Sequence, residues 1–232
     1  MSAPHRRWAA LALLCAGCAQ AQETANHLVG DVGLGVSAAP VAVAAQSRST
    51  GVVTYLNFDY GSAFARIDTF GVKLAPVGYG SVELVTRAME DGYRASAPPQ
   101  ARQSSSLPLG LGTLQVTPVG AFMANLYRDL GKSHGAMLDL MYAAEVEQGR
   151  YAFYPQAGLE YRSASYVRYY DGVARHANNP FVGLLVEAHL GGHWYLVANL
   201  RRTWLDDSIR GNPAVRRRSL DSGLAALSYR FD

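Results

Sequence analysis

The closing stretch, Leu220 to Phe231, constrains the fold more than any other part of the chain. Its polarity alternates with a period of two: Gly223, Ala225, Leu227, Tyr229 and Phe231 share one face, and Ser222, Ser228 and Arg230 share the other. A helix would scatter these residues around its circumference, whereas a strand separates them cleanly. A terminal strand that is apolar on one side, mixed on the other and ends on aromatics suits a barrel whose outer face meets lipid.

The opposite end of the chain reads as an export signal. Arg6 and Arg7 form a charged start, Trp8 to Ala16 is an apolar stretch too short to span a bilayer, and Ala19-Gln20-Ala21 is a small-x-small cleavage site. Residues 1–21 are therefore expected to be a signal peptide and residues 22–232 the mature barrel. A competing reading is a lipobox at Cys15-Ala16-Gly17-Cys18, with Cys15 standing where Leu is usual. Both cysteines of the chain lie here, so the mature chain has no disulfide or thiol chemistry. Removing Arg6 and Arg7 leaves 19 basic against 18 acidic residues, a balance that gives no argument for nucleic acid as a partner. Beyond the signal, no run of apolar residues is long enough for a membrane helix, while 14 tyrosines and 23 glycines favour β-structure.

The mature chain reads as about ten alternating strands, with eight or twelve also compatible with a transmembrane antiparallel up-and-down barrel. They fall near residues 31–38, 50–59, 64–74, 80–89, 114–127, 136–146, 151–162, 181–190, 194–205 and 220–231. Trp194, Leu196, Ala198, Leu200 and Trp204 share a face, and Tyr151 and Tyr161 repeat the tryptophan spacing. Ten residues span about 33 Å along a strand. A tilt of about 40° projects that to roughly 25 Å, the height of the apolar band between aromatic girdles. Trp194, Trp204, Tyr151 and Tyr161 are thus candidate girdle residues. Arg202 shares the Trp204 face and is expected to snorkel toward headgroups. The 64–74 strand is out of phase, because Arg66 and Asp68 share a face with Phe70, Val72 and Leu74. The predicted lumen faces carry Glu83, Arg87, Asp139, Glu145, Glu160, Arg162, Glu187, His189 and Arg201, mixed signs that argue for paired charges rather than a wide pore.

Connections alternate between tight turns and longer loops, as expected for periplasmic turns and extracellular loops. Two break the rule. Residues 75–79 are short for the outside, and 90–113 form a long polar insertion on the periplasmic side, marked by Pro98-Pro99 and Ser104-Ser105-Ser106.

Candidate chemistry is sparse. Ser133-His134 with Asp129 nearby is the one hydrolase-like grouping, but adjacent residues on an extended chain point apart and no Gly-x-Ser-x-Gly elbow is present. His176, His189 and His193 lack metal-ligand spacing, and no cofactor is expected. Tyr166, Arg168, Tyr169 and Tyr170 form an aromatic loop suited either to protein contact or to the interfacial belt. Arg216-Arg217-Arg218 is either a solvated loop or a contact for lipopolysaccharide phosphates.

The C-terminal half resembles the MipA/OmpV family of outer-membrane proteins. Asp129–Gly135 resembles the family's Asp…Gly-His-Gly loop. Tyr169-Tyr170-Asp171-Gly172-Val173 resembles its Tyr-Tyr-Tyr-Gly-Val loop, with Asp171 in place of the third Tyr. Leu205-Asp206-Asp207-Ser208 with Asn212-Pro213-Ala214-Val215 resembles its Leu-x-Asp…Ser-Pro-x-Val segment, Asn212 replacing Ser, and Tyr229-Arg230-Phe231 resembles its ending. The family usually stops at Phe; here Asp232 follows, which bears on recognition by the barrel-assembly machinery. The resemblance implies an outer-membrane barrel; the expectation is a non-enzymatic protein of the cell outer membrane, with outer-membrane lipid and lipopolysaccharide as surroundings. It also implies a scaffold role between a lytic transglycosylase and a murein synthase. A narrow channel, a surface adhesin and a surface hydrolase remain the alternatives at this level.

Overall fold

The computed structural model describes residues 27–39, 49–89, 93–94, 102–213, 215 and 217–232. The signal-peptide segment, the lipobox, Arg216 and much of the 90–113 insertion lie outside the described residues. The strands are β1 (Leu28–Ala39), β2 (Ser49–Tyr60), β3 (Ala63–Arg66), β4 (Thr69–Val77), β5 (Gly80–Arg87), β6 (Tyr93–Arg94), β7 (Arg102–Gln103) and β8 (Pro108–Thr117). They continue as β9 (Gly120–Asp129), β10 (Ala136–Ala143), β11 (Val146–Gln148), β12 (Tyr151–Arg162), β13 (Ala177–Gly191), β14 (Trp194–Trp204) and β15 (Ser219–Phe231). Among the described residues two short helices interrupt them, α1 (Ala164–Tyr170) and α2 (Asp207–Arg210), and no described helix is long and apolar enough to cross a membrane.

Every pairing in the main sheet is antiparallel and joins strands consecutive in the chain, except that β5 pairs β8 across the β6–β7 pair, β10 pairs β12 across β11, and β15 returns to β1, with Leu34 opposite Leu227. Closure between β10 and β12 completes a barrel, and β11 extends the β10 stave against the start of β12. This gives twelve staves, not about ten. Two segments read as single strands are hairpins. Residues 64–74 fold back at Ile67-Asp68, with Arg66 opposite Thr69. Residues 114–127 belong to β8 and β9, which meet at Pro118-Val119, with Thr117 opposite Gly120.

The first hairpin explains the out-of-phase strand. A two-residue turn resets the alternation, so Phe64, Arg66 and Thr69 face inward while Val72 and Leu74 are exposed. Ile67 carries the turn with φ +57°, a conformation that a β-branched residue enters at a cost of about 1–3 kcal/mol. Its side chain packs against the lumenal cluster of Tyr55, Val197 and Ala226, and Asp68 pairs with Arg87 at 2.7 Å. No glycine marks this turn, so the sequence pattern hides it.

The added hairpins also move the insertion. β5 runs away from the end that holds the chain termini, so Arg87 ends β5 and Pro108 begins β8 at the opposite end, the end at which β9 leads to β10, β12 to β13 and β14 to β15. The expectation that the 90–113 insertion shares an end with the termini is therefore corrected. The short 78–79 turn moves the other way, and both exceptions to the turn-and-loop alternation disappear.

Polarity is inverted relative to a water-soluble fold. Val52 (79%), Leu34 (65%) and Leu200 (63%) are exposed, while Asp31, Glu83 and Asp129 are at most 1% exposed. The core lies inside the barrel and combines buried carboxylates with three apolar clusters.

Candidate functional site: a charged lumen under a clasped mouth

Three arginines organise the lumen. Arg66 on β3 grips Glu83 on β5 through two hydrogen bonds of 2.7 and 2.8 Å, and Ser81 adds a third to the same carboxylate. Arg87 at the end of β5 reaches Asp68 (2.7 Å), Asp139 (2.8 Å) and Glu160 (3.5 Å), and Glu160 is shared with Arg201 at 2.6 Å and Arg162 at 3.4 Å. Arg230 on β15 binds both oxygens of Asp31 and one of Glu187, each at 2.8 Å. Bidentate geometry of this kind fixes the planar guanidinium and leaves few charges unmatched.

Aromatic rings support the same arginines. Arg66 lies 3.9 Å from the centre of the Phe64 ring, Arg201 3.5 Å from Phe181 and Arg230 3.8 Å from Tyr195. Two of these rings pack against a glycine. A Cβ at Gly71 would collide with Phe64, and one at Gly158 with Phe181. The layers glycine, phenylalanine, arginine and carboxylate thus recur on opposite sides of the lumen.

Above this network the long loops form a cap. Asp129, fully buried at the end of β9, accepts hydrogen bonds from the amides of Leu107 (2.9 Å), Gly131 (2.8 Å) and Ser133 (3.2 Å), from the Ser133 hydroxyl and from Tyr170 (3.3 Å). One carboxylate so ties the start of β8, the 130–135 loop and α1 together. α1 lays Tyr166 and Tyr170, 4.5 Å apart, onto Phe64, Val85, Tyr127 and Met137. Its other buried residue, Val167, joins Ala177, Leu205, Ile209 and Val215 in a second cluster with α2. Asp206 caps α2. Partial burial pushes its carboxyl up, but amide hydrogen bonds from Ser208 (2.8 Å) and Asn178 (2.9 Å) outweigh that and hold it below the ordinary carboxylate range. Asn212 donates to the Asp171 carbonyl at 2.6 Å, joining the two loops.

The loop motifs singled out by resemblance converge here: the 129–135, 169–173 and 205–215 segments build the cap together. The aromatic loop, suited by its sequence to protein contact or to the interfacial belt, becomes α1. Tyr166 and Tyr170 are buried, while Arg168 is exposed and Tyr169 half-buried. Ser133 donates to Asp129 rather than to His134, whose neighbour it is, so this segment is a loop clasp. Arg217 and Arg218 are exposed. Trp194 (47%), Trp204 (41%) and Tyr151 (44%) are exposed on the outer face, and Tyr161 is half-buried 6.1 Å from the His176 ring. His189 and His193 sit at the tight-turn end, each stacked on a tyrosine.

Of the residues expected in the lumen, Glu83, Arg87, Asp139, Glu160, Arg162, Glu187 and Arg201 are there. Glu145, between β10 and β11, and His189, near the tight-turn end of β13, are exposed instead. Sequence reasoning missed Asp31, Arg66 and Asp68. The out-of-phase Arg66 and Asp68 were themselves the signal of a turn. Arg202 is not a lone snorkelling cation: it pairs with Asp221 on the neighbouring strand through contacts of 2.6 and 2.9 Å.

No curated protein matches the chain. The family model described as MltA-interacting protein MipA matches residues 32–231, which spans the barrel from its first strand to its last. With that coverage and a closed antiparallel barrel throughout, the chain belongs to the MipA family.

Proposed function

We propose that the protein is an outer-membrane barrel that acts as a scaffold for murein-processing enzymes and not as a pore or an enzyme. The family description names interaction with MltA, which fits a lytic transglycosylase as partner. The observation that carries the non-pore reading is the lumen itself, crossed by the Arg66, Arg87 and Arg230 networks and covered by α1. The exposed apolar outer face and buried ionic interior support insertion in a bilayer, where the sheet has no water to pair with and must close on itself. In this reading the signal peptide exports the chain to the cell outer membrane, and Trp194, Trp204, Tyr151 and Tyr161 form the girdles.

With termini in the periplasm, the tight turns face the murein. That end presents exposed Glu145, Glu147 and Asp232, whereas the ends of β5 and β8 that residues 88–107 connect lie at the other. Deleting residues 93–103 should therefore leave capture of a periplasmic lytic transglycosylase unchanged. Reversing Glu145 and Glu147 to lysine should weaken it several-fold, the usual scale for charges at an interface rim. Pull-down from detergent-solubilised envelopes with the partner added at known concentration reads both. Capture lost in the deletion and kept in the charge reversal would place the scaffold surface at the wrong end.

A further inference from the structure

The outer wall formed by β8, β9, β10 and β12 is not smooth. It carries a groove of about 420 Å³ whose lining is mostly apolar. Thr113, Ala124 and Ala157 are short side chains between the larger Phe122, Leu140 and Tyr142, which stand 36–45% exposed. On the same strands, toward the long-loop end, the outer face continues with Leu126, Leu111 and Leu109. It ends at Arg128, which faces outward opposite Leu109, and at Lys132 in the adjoining loop.

Both cations are exposed, and neither makes an ion pair with a carboxylate among the described residues. The nearest acid in sequence, Asp129, points inward and is saturated by the loop it clasps. That clasp also holds Lys132 in place, between the bound amides of Gly131 and Ser133. From Ala124 to Arg128 is four residues, or about 13 Å along the strand. A dented apolar wall with two unpaired cations above it matches an amphipathic anion: acyl chain in the groove, phosphate at the cations.

We infer that this wall is a binding site for a phosphorylated, acylated lipid of the leaflet nearest the long loops. The inference rests on the outer-membrane reading, in which that lipid is lipopolysaccharide. The phosphate accepts charge-assisted hydrogen bonds from Arg128 and Lys132, and one acyl chain fills the groove in place of the side chains that Thr113, Ala124 and Ala157 lack. Arg217 and Arg218 lie on a different loop and play no part.

Purified full-length mature protein in detergent, incubated with bisphosphorylated lipid A and examined by native mass spectrometry, tests it. The wild type should retain one lipid preferentially over a dephosphorylated lipid A probe. Arg128→Gln with Lys132→Gln, and separately Ala124→Phe, should each reduce the lipid-bound fraction about tenfold, the scale of losing a charge-assisted contact. Ala157→Phe repeats the groove test should Ala124→Phe not fold, and heat-modifiability on gels reports folding in every case. Retention unchanged in both classes of variant overturns the site. Loss in the groove variants alone overturns the phosphate half. A dimer that Ala124→Phe dissolves, without lipid, shows that the groove seats a second copy instead. A barrel that reaches the outer membrane yet binds no lipid A removes this site only, whereas a chain that never inserts removes the reading beneath it.

Discussion

Replacing Arg87 by methionine should destabilise the barrel by about 3–5 kcal/mol, the cost of stripping the partner from charges held out of water. Arg87 is the one cation that meets Asp68, Asp139 and Glu160 together, and the side chains of Asp139 and Glu160 are only 11% and 9% exposed. Glu160 keeps Arg162 and Arg201, so the damage centres on Asp139, whose one ion pair among the described residues is with Arg87. Adding Asp139→Asn should restore part of the loss, since the two sites are in contact and their effects do not add. Urea unfolding in micelles, followed by the heat-modifiable band, gives both numbers. Equal stability of wild type and Arg87→Met would mean that water in the lumen solvates these carboxylates and the network holds nothing together.

Tyr166→Ala should act locally and strongly. The residue is fully buried, stacks on Tyr170 and contacts the inward faces of several strands through the cluster of Phe64, Val85, Tyr127 and Met137. Truncating a buried aromatic costs about 3–5 kcal/mol. Here that loss falls on the docking of α1, because the barrel's backbone ladder does not involve it. The amides of Val167 and Asp171, bonded to the Ser163 and Val167 carbonyls, should lose protection from hydrogen exchange by a hundredfold or more, on the order of 3 kcal/mol at ~1.4 kcal/mol per tenfold. Amides within β14 and β15 should not change. Tyr170→Phe, which removes the hydroxyl contact to Asp129 and keeps the ring, should do far less, at about 1 kcal/mol. Unaltered exchange in α1 would show that the cap is held by something other than these rings.

Much of the barrel can be read from residue order alone, because a closed sheet with an apolar outer face and a polar lumen needs strict alternation. β13, β14 and β15 show that alternation, and their inward Glu187, Arg201 and Arg230 are where the pattern puts them. The hairpins were lost for a physical reason. Ile67 occupies a left-handed turn position with neither Gly nor Asn to announce it, its strain offset by packing inside the lumen. Once that turn is missed, every later stave up to β9 runs the wrong way, and the 88–107 connection lands at the wrong end. The cap was legible only as separate fragments. Asp129, Tyr170 and Asp206 stand far apart in the chain, and nothing in local spacing shows that Asp129 and Tyr170 bond to each other while Asp206 anchors the adjoining helix. The lumenal ion pairs were half visible: the charged positions could be listed, but partner choice depends on stagger around the barrel, which strand count sets.

Cys15 and Cys18 are the two cysteines of the chain and both precede β1, which allows a direct test of the inverted architecture. Single cysteines placed in turn at Leu196, Val197, Ala198, Asn199 and Leu200 sample both faces of β14. In intact envelopes, probes at 196, 198 and 200 should be quenched by a lipid-dissolved quencher and should resist a water-soluble maleimide. Probes at 197 and 199 should escape the lipid quencher, since Val197 is fully buried and Asn199 lies on the lumenal side. Ready maleimide reaction at 196, 198 and 200 would mean that water, not lipid, bathes the apolar face, and the membrane barrel would be contradicted.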